Sequence, residues 1–269
     1  MLDATPKRTV LKGLDNWIFI FLGKGSNGRD YSFNDSDYLN FEEGIQNISK
    51  LCHSKSIQFY SAIVPEKFNI YPEKIKSNDR LTMKIDKYFS FYERLNKSPV
   101  DVVFFHNILL LEKQRRDIYY KTDTHWNSFA GFLASNHLFR NMSVQFKDII
   151  PFSEKEFLIK SIPTIGRDIG EYLSLSPYLT DTDYVFYPEF NQNQRRNKLK
   201  ILVLHDSYFY PMVDFFKYQF GDVETYNFVQ NEKSVDFDLL LAKKPDIVLF
   251  ILLERHIGNY DKRVYGHLR

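Results

Sequence analysis

Short β-rich runs, most of them apolar throughout, alternate with helix-like segments, and this alternation is the strongest constraint on how the chain folds. The predicted strands are Trp17–Leu22, Ile57–Val64, Val100–Phe105, Leu199–Leu204, Val223–Phe228 and Ile247–Leu253. The predicted helices are Asp37–His53, Leu81–Leu95, Ser128–Arg140, Tyr210–Phe220 and Val235–Ala242. Strands without polar alternation are typical of a parallel sheet that is covered on both faces. The sequence therefore predicts a layered α/β protein.

Length and local composition indicate how this α/β unit is organised. The chain has 269 residues, which is enough for one large domain with a buried core. Residues 151–197 are polar and are interrupted by glycine and proline. We therefore predict a single domain over residues 1–269, with residues 151–197 as an irregular insertion over the sheet edge or a lid.

Charge and cysteine content exclude several classes of function. Lys and Arg number 36 and Asp and Glu number 34, for a formal net charge of +2. A chain this close to neutral has no global field to attract nucleic acid or an acidic membrane. The only cysteine is Cys52, which excludes an internal disulfide framework and a cysteine-based zinc site.

Aromatic residues make up 17% of the chain, and this excess has two interpretations. Aromatic rings stack on sugar faces, so they would suit a saccharide cleft. Alternatively, phenylalanine takes core positions that leucine often fills. Most of these residues alternate within strand-like runs, which favours core packing.

The beginning of the sequence carries no recognisable export signal. Residues Met1–Pro6 are polar, and the apolar run Trp17–Leu22 is short and follows the acidic Asp15. Other apolar runs, such as Ile247–Leu253, are too short to span a bilayer. On this basis we expect a cytoplasmic protein, unless a partner holds it at a membrane.

A serine follows the predicted strand Leu199–Leu204, in the sequence His205-Asp206-Ser207. This puts the Ser207 hydroxyl at the carboxyl end of a sheet strand, where open α/β sheets bind ligands. A helix that begins there would offer free N–H groups to an oxyanion. The same position also suits a simple helix N-cap.

An aspartate and a histidine two residues apart lie in the sequence Asp123-Thr124-His125. In an extended segment both side chains project to one side, so Asp123 can orient the imidazole as it takes a proton from a serine. Alternatively, the two form a hydrogen-bonded pair in a turn. A third interpretation makes them half of a metal site completed by His205 and Asp206, although the spacing matches no common metal motif.

A charged cluster, Glu254-Arg255-His256, ends the apolar run Ile247–Leu253. Ionised groups seldom lie beside an apolar core without partners. Arg255 can therefore donate hydrogen bonds to an oxyanion or a substrate carboxylate. The alternative is a structural ion pair between Glu254 and Arg255.

Taken together, these motifs resemble the SGNH-hydrolase-like acetyltransferase family, to which the alginate O-acetylation proteins AlgX and AlgJ belong. The Asp-Thr-His-Trp stretch, the later His-Asp-Ser and the terminal strand ending in Glu-Arg carry the resemblance. Further similar stretches are Gly13–Phe19, Val64–Lys67 and Ile70–Glu73. The resemblance implies an SGNH-like, flavodoxin-like three-layer sandwich with a circularly permuted order of catalytic blocks.

The resemblance also implies roles for individual residues. Ser207 would be the nucleophile, His125 the general base and Asp123 its orienting partner, with no metal. The usual asparagine oxyanion donor is missing, and Arg255, Asn227 or the Ser207 N–H is expected to replace it. The aromatic residues that flank these positions are candidates for a sugar-binding surface: Tyr120, Trp126 and Tyr208.

The function implied is O-acetylation of a bacterial surface polysaccharide, such as a capsule or exopolysaccharide, or of its precursor, through an acetyl-serine intermediate. The alternatives are a carbohydrate acetylesterase with the same triad and a non-catalytic polysaccharide-binding subunit. We expect no tightly bound cofactor. The acetyl donor would be acetyl-CoA, or a group relayed by a membrane-bound assembly partner as in the periplasmic members of the family.

The glycine-rich stretch Gly23–Gly28 lacks the spacing of a phosphate-binding loop and predicts a turn.

Overall fold

The computed structural model of the protein describes residues 8–22, 35–75, 91–230 and 235–257. The strands are β1 (Arg8–Lys12), β2 (Ile18–Leu22), β3 (Gln58–Val64), β4 (Val102–Phe104), β5 (Phe157–Ile165), β6 (Thr180–Pro188), β7 (Lys200–His205), β8 (Asp222–Asn227) and β9 (Ile247–Leu253). The α-helices are α1 (Asp35–Ser54), α2 (Lys67–Ile70), α3 (His106–Glu112), α4 (Ser128–Met142), α5 (Asp168–Tyr172), α6 (Gln192–Arg195), α7 (Val213–Gln219) and α8 (Phe237–Leu241). Short 3₁₀ turns include Pro72–Lys74, Glu154–Glu156, Ser176–Tyr178, Ser207–Met212 and Glu254–His256.

Five strands form one parallel sheet in the order β4-β3-β9-β7-β8. All seven residues of the central strand β9 are buried. Since successive side chains of a strand point to opposite faces, both faces of the sheet are covered. The predicted three-layer α/β architecture is confirmed, and five of the six predicted strands belong to this sheet.

The order of the strands also confirms the predicted circular permutation. If the five strands are numbered along the chain from β7, with β3 following β9, the sheet read from the β8 edge has the order 2-1-3-4-5. That is the flavodoxin-like order. The carboxyl ends of β7 and β9 flank the point where this order reverses, which is where open α/β sheets bind ligands.

The predicted strand Trp17–Leu22 lies outside the main sheet. Its residues Ile18–Leu22 form β2, which pairs with β1 as an antiparallel hairpin. The Ile18 N–H donates to the carbonyl of Lys121 at 2.9 Å, so the hairpin lies against the loop that precedes α4. An apolar strand packed on a loop has the same sequence pattern as one in the sheet.

Residues 151–197 differ from the irregular insertion that we predicted. They contain the nine-residue strands β5 and β6, paired antiparallel over their full length. Pro163 lies inside β5, opposite Thr182. Both strands of an isolated pair are edge strands, and edge strands tolerate proline. The prolines and exposed polar residues of this hairpin therefore hid the strand pattern.

Two other predicted elements are altered or lie partly outside the described residues. The helix predicted over Tyr210–Phe220 begins earlier as the 3₁₀ turn Ser207–Met212, which contains Pro211, and continues as α7. Of the predicted helix Leu81–Leu95, residues 91–95 are helical and the remainder is outside the described residues, as is Gly23–Gly28. Within the described ranges, no helix combines the length and apolarity needed to cross a membrane.

Candidate active site

Ser207 is the first residue of the 3₁₀ turn that follows β7. The preceding residue, Asp206, caps this turn by accepting a hydrogen bond from the Tyr208 N–H at 2.9 Å. The Ser207 N–H makes no hydrogen bond with any of the described residues. Ser207 is partly exposed, and its hydroxyl and its N–H both lie at the carboxyl end of β7.

Asp206 fixes the ends of two neighbouring strands. Its second oxygen accepts from the Leu253 N–H at 2.7 Å and lies 2.8 Å from Nδ1 of His256. Burial opposes ionisation of this carboxyl group, but the His256 and backbone contacts outweigh burial and lower the pKa of Asp206. Ser207 is therefore held next to the end of β9 by a buried carboxylate.

Asp123 and His125 lie in a loop that closes on itself just before α4. The loop is closed by a bridge between Tyr119 and Trp126. Asn127 then begins α4, because its side-chain oxygen accepts from two N–H groups of the first turn, each at 3.1 Å. Oδ1 of Asp123 accepts from the His125 N–H at 2.9 Å and lies 2.7 Å from Nδ1 of the same residue. The imidazole is therefore held with Nε2 directed away from Asp123.

The structure brings the predicted serine, histidine and aspartate together. Nε2 of His125 lies 2.8 Å from Oγ of Ser207, across 82 residues of sequence. Asp123 is buried, whereas the His125 side chain is 28% exposed. The serine can therefore pass its proton to an oriented imidazole, and a reactant can approach both side chains from solvent.

The charges around His125 suit it to accept a proton. Burial lowers the pKa of His125, but the hydrogen bond to Asp123 and the charges of Asp123 and Asp168 outweigh burial and raise it. Burial also acts against ionisation of Asp123, yet the hydrogen bonds and charge of His125 lower the pKa of Asp123 to about 2. The aspartate therefore stays charged while the imidazole changes protonation state.

Lys67, at the start of α2, donates hydrogen bonds to the backbone of the loop that carries Asp123 and His125. Its Nζ donates to the carbonyls of Ile18, Lys121 and Asp123, at 2.7, 2.8 and 2.9 Å. Lys67 is buried, and burial lowers its pKa to about 7, although the nearby aspartates favour the charged form. The ammonium group thus joins β2 to the backbone of the triad aspartate. Lys67 lies in a stretch that carries the family resemblance, but the sequence indicated no role for it.

Three aspartates of the inserted segment accept hydrogen bonds from this loop and from the first residue of α4. Asp168 accepts from both the N–H and the hydroxyl of Thr124. Asp181 accepts from the N–H groups of Lys121 and Thr122 and from the hydroxyl of Thr122. A third aspartate, Asp183, accepts from the Ser128 N–H at 3.0 Å. Sequence reasoning missed all three, because nothing local links residues 168–183 to a loop some 40 to 60 positions earlier.

The predicted aromatic sugar-binding surface does not form. Trp126 is fully buried and its Nε1 donates to the carbonyl of Tyr208 at 2.8 Å. Tyr208 is also buried, and its hydroxyl donates to the carbonyl of Thr124 at 2.7 Å. Tyr120 is buried as well, beneath the guanidinium of Arg167. The polar tips of Trp126 and Tyr208 find partners inside the protein, so these residues position the triad rather than line an open surface.

The two side chains proposed as oxyanion donors have other partners. Nε and Nη2 of Arg255 donate to Glu66 at 2.5 and 2.8 Å. The Asn227 amide donates to the Tyr210 hydroxyl at 2.9 Å, and its oxygen accepts from the N–H groups of Val229 and Gln230. The Ser207 N–H, which has no hydrogen-bond partner among the described residues, is an oxyanion donor that the site offers.

The charged end of β9 is a structural network, but its pairing differs from the predicted Glu254–Arg255 pair. Arg255 pairs with Glu66, while Glu254 accepts from the Glu66 N–H at 2.7 Å and from the Asn69 amide at 2.6 Å. Complete burial raises the pKa of Glu254 well above its usual value. The network joins the ends of β3 and β9 beside the triad.

The alternative of a metal site completed by His205 and Asp206 does not match the geometry. Nδ1 of His205 lies 2.7 Å from the carbonyl oxygen of Asp206. The Asp206 carboxylate already accepts hydrogen bonds from the N–H groups of Tyr208 and Leu253 and lies next to His256. Among the described residues, the group close enough to share an ion is Asp123, His125 and Asp168. In that group Nδ1 of His125 is already hydrogen-bonded to Asp123.

Comparison with known proteins is consistent with this arrangement. The family described as the SGNH hydrolase-like domain of the acetyltransferase AlgX matches residues 10–198, a range that contains Asp123 and His125 and ends before Ser207. A probable alginate O-acetylase AlgJ of Pseudomonas syringae pv. tomato is 24% identical over 192 residues. That match spans 70% of this chain and 46% of the relative, so the chain corresponds to about half of the relative's length.

Solved structures share the fold at low sequence identity. PatB1 of Bacillus cereus has a TM-score of 0.71 at 14% identity, covering 96% of this chain and 100% of PatB1. The O-acetyltransferase domain of Pseudomonas putida AlgJ has a TM-score of 0.63 at 16% identity, covering 94% of this chain and 93% of that domain.

Proposed function

The chain belongs to the SGNH hydrolase-like acetyltransferase family of AlgX, and from this premise we propose that it is a serine-dependent O-acetyltransferase acting on polysaccharide hydroxyl groups. The observation that carries the proposal is the continuous contact from Ser207 through His125 to Asp123, with distances of 2.8 and 2.7 Å. The similarity to a probable alginate O-acetylase supports a polysaccharide as the acceptor, and we propose that this polysaccharide is a bacterial surface polysaccharide or its precursor.

In the first half-reaction, Nε2 of His125 takes the Ser207 proton while Oγ attacks the acetyl carbonyl carbon of the donor. The Ser207 N–H donates to the oxyanion that forms, at the positive end of the 3₁₀ turn. His125 then returns the proton to the leaving group as the bond to the donor breaks. The product of this half-reaction is acetyl-Ser207.

In the second half-reaction, His125 takes the proton of a sugar hydroxyl, whose oxygen attacks the acetyl-serine carbonyl. Collapse of the second tetrahedral intermediate releases the acetylated sugar and returns the proton to Oγ of Ser207. Water competes for the same intermediate, so transfer requires that the sugar occupy the approach to His125. The acetyl donor, either acetyl-CoA or a group relayed by a membrane-bound partner, stays a prediction.

The test is acetyl transfer from p-nitrophenyl acetate to a panel of oligosaccharides, with the products identified by mass spectrometry. The wild-type protein is expected to acetylate at least one oligosaccharide. Ser207→Ala should reduce the rate by roughly 10³-fold or more. Ser161→Ala, at an exposed serine of β5, is the matched control and should leave the rate unchanged.

Two other outcomes would replace this proposal. Acetate release that depends on Ser207 but is indifferent to every acceptor would indicate a carbohydrate esterase. Donor turnover that is absent, or that is the same in Ser207→Ala, would indicate a non-catalytic polysaccharide-binding subunit.

A further inference from the structure

Asp168 approaches the triad from the inserted segment, where it is the first residue of α5. Its Oδ1 accepts from the Thr124 N–H at 2.9 Å, and its Oδ2 accepts from the Thr124 hydroxyl at 2.6 Å. Thr124 is the single residue between Asp123 and His125. Both carboxylate oxygens of Asp168 therefore bind Thr124, the residue that sets the relative orientation of Asp123 and His125.

The same carboxylate lies beside the imidazole. Oδ2 of Asp168 is 3.8 Å from Nδ1 of His125, the nitrogen that is bonded to Asp123 at 2.7 Å. Opposite charges this close stabilise the protonated imidazole. Two negative groups thus face one side of the ring, and the Ser207 hydroxyl faces the other.

The remaining groups around His125 act differently. The ring of Tyr208 packs against the imidazole at 4.7 Å between centroids, and its hydroxyl is bonded to a carbonyl. The Thr124 hydroxyl lies 3.4 Å from Nδ1. The charge of Arg255 lowers the pKa of His125 and so opposes the two aspartates.

We propose that Asp168 is a positioning residue of the active site, which fixes the Asp123–His125 turn through Thr124 and adds a second negative charge beside the imidazolium. The proposal rests on the proposed function for its catalytic meaning. It gives the inserted segment a part in positioning the catalytic base.

The two carboxylates titrate in a definite order. Burial and the charge of Asp123 raise the pKa of Asp168, whereas the pKa of Asp123 is lowered. As the pH falls, Asp168 takes a proton before Asp123 does. Asp123 therefore retains the hydrogen bond that orients the ring. Asp168 contributes its negative charge at pH values above its own pKa.

Asp181 provides a matched control within the same segment. It also accepts hydrogen bonds from the loop, at Lys121 and Thr122, and it is buried. Among the ion pairs of the described residues, however, the carboxylates within 4.0 Å of a His125 nitrogen are those of Asp123 and Asp168. Loss of loop support alone should therefore have the same effect in Asp181→Asn as in Asp168→Asn.

The experiment is an NMR titration of the His125 ring in the full chain, comparing the wild-type protein, D168N and D181N. D168N should lower the pKa of His125, and D181N should change it much less. Equal pKa values in the wild-type protein and D168N, or equal shifts in D168N and D181N, would overturn the proposal. If D168N does not fold, D168E and D168Q have side chains of the same length, with and without the negative charge, and make the same comparison.

Kinetics supply a second readout with p-nitrophenyl acetate as the donor. D168A should reduce kcat by about 10²-fold through misplacement of the base, with little change in KM. D168N should reduce kcat less and should move the acid limb of kcat/KM to lower pH. The NMR titration needs no turnover. A wild-type protein without activity would therefore refute the proposed function, whereas an unchanged His125 pKa in an active D168N would refute only the role of Asp168.

Discussion

At the scale of single residues, the chemistry depends on the protonation of His125. Only the neutral imidazole can accept the Ser207 proton. Since the pKa of His125 is raised and Asp123 keeps its charge down to a pH of about 2, activity should increase with pH as His125 loses its proton. The midpoint of this acid limb should lie above the ordinary histidine value of about 6.5.

Asp123→Asn tests this dependence, because it removes the charge that raises the pKa of His125. The acid limb of kcat/KM should move to lower pH, and the maximal rate should fall by roughly 10³- to 10⁴-fold. The measurement is the rate of p-nitrophenyl acetate turnover against pH. Asp117→Asn alters a carboxylate of the same loop that pairs with Lys121 and should leave the midpoint in place. An unchanged midpoint in Asp123→Asn would contradict the assignment.

The sequence indicated which polar side chains meet at the site better than it indicated their surroundings. The local motifs marked Ser207, Asp123 and His125 as candidates, and the resemblance to a known family implied their roles, because an N-cap serine and an Asp-His pair in a turn have the same local pattern. Trp126 and Tyr208 were misassigned to a sugar surface, because sequence does not distinguish an aromatic ring that stacks on a ligand from one that packs in a core. Lys67 and Asp168 act through tertiary hydrogen bonds, which leave no local pattern.

At the scale of elements, the position of Ser207 depends on how closely α4 packs on the 3₁₀ turn that contains it. Gly131 lies in α4 where a Cβ atom would be 2.6 Å from the carbonyl oxygen of Pro211 and 2.7 Å from its Cβ. The absence of a side chain therefore allows the helix and the turn to approach each other. Asn127, the N-cap of α4, lies two residues after His125 and so ties the imidazole to the start of the same helix.

Gly131→Ala should destabilise the protein, although alanine is the better helix former. The propensity gain is about 1 kcal/mol, whereas the overlap with the Pro211 backbone forces a shift that costs about 1–3 kcal/mol. Urea unfolding measures the net change. Arg140→Ala, on the exposed side of the same helix, is the control and should change the free energy of unfolding by less than about 0.5 kcal/mol. A more stable Gly131→Ala protein would contradict the packing described.

The inserted hairpin is the element that the sequence concealed. Within the part of the chain that the structure describes, strands β5 and β6 pair only with each other. Their burial pattern therefore lacks both the apolar run of a central strand and a clean alternation. In contrast, β9 is buried at every residue, and its predicted limits match the structure. Predictability therefore followed the degree of burial.

At the scale of the whole molecule, the ends of β3 and β9 are joined by groups 189 residues apart in sequence. Arg255 and Glu66 form a two-point ion pair that is almost fully buried. A buried charge that loses its partner is strongly destabilising. The pair therefore helps fix the sheet edge on which Ser207 lies.

Arg255→Met should destabilise the fold by about 3–5 kcal/mol, because it leaves Glu66 buried without its partner. The double variant Glu66→Gln/Arg255→Met should recover part of this loss, which a double-mutant cycle of urea unfolding would measure. Lys74→Met breaks the exposed pair with Asp15 and should lower the free energy of unfolding far less, because solvent screens an exposed ion pair. Equal effects of Arg255→Met and Lys74→Met would show that the buried pair has no such role.

The predicted runs identified the five strands of the main sheet but not their order. An apolar run indicates that a strand is buried, but it does not indicate which strands lie beside it. The placement of β9 between β3 and β7 is therefore a tertiary property. The permuted order was expected only because the resemblance to a known family implied it. Once β7 and β9 are adjacent, residues 123–125 and Ser207 meet where the strand order reverses.

The most direct test of the account is whether Ser207 carries an acetyl group during turnover. The protein would be quenched in acid after mixing with p-nitrophenyl acetate, digested, and analysed by tandem mass spectrometry. We predict an acetyl group on the peptide that contains Ser207, located on that residue and lost when an acceptor oligosaccharide is added before the quench. A protein that transfers acetyl groups while Ser207 remains unmodified at every time point would contradict the account.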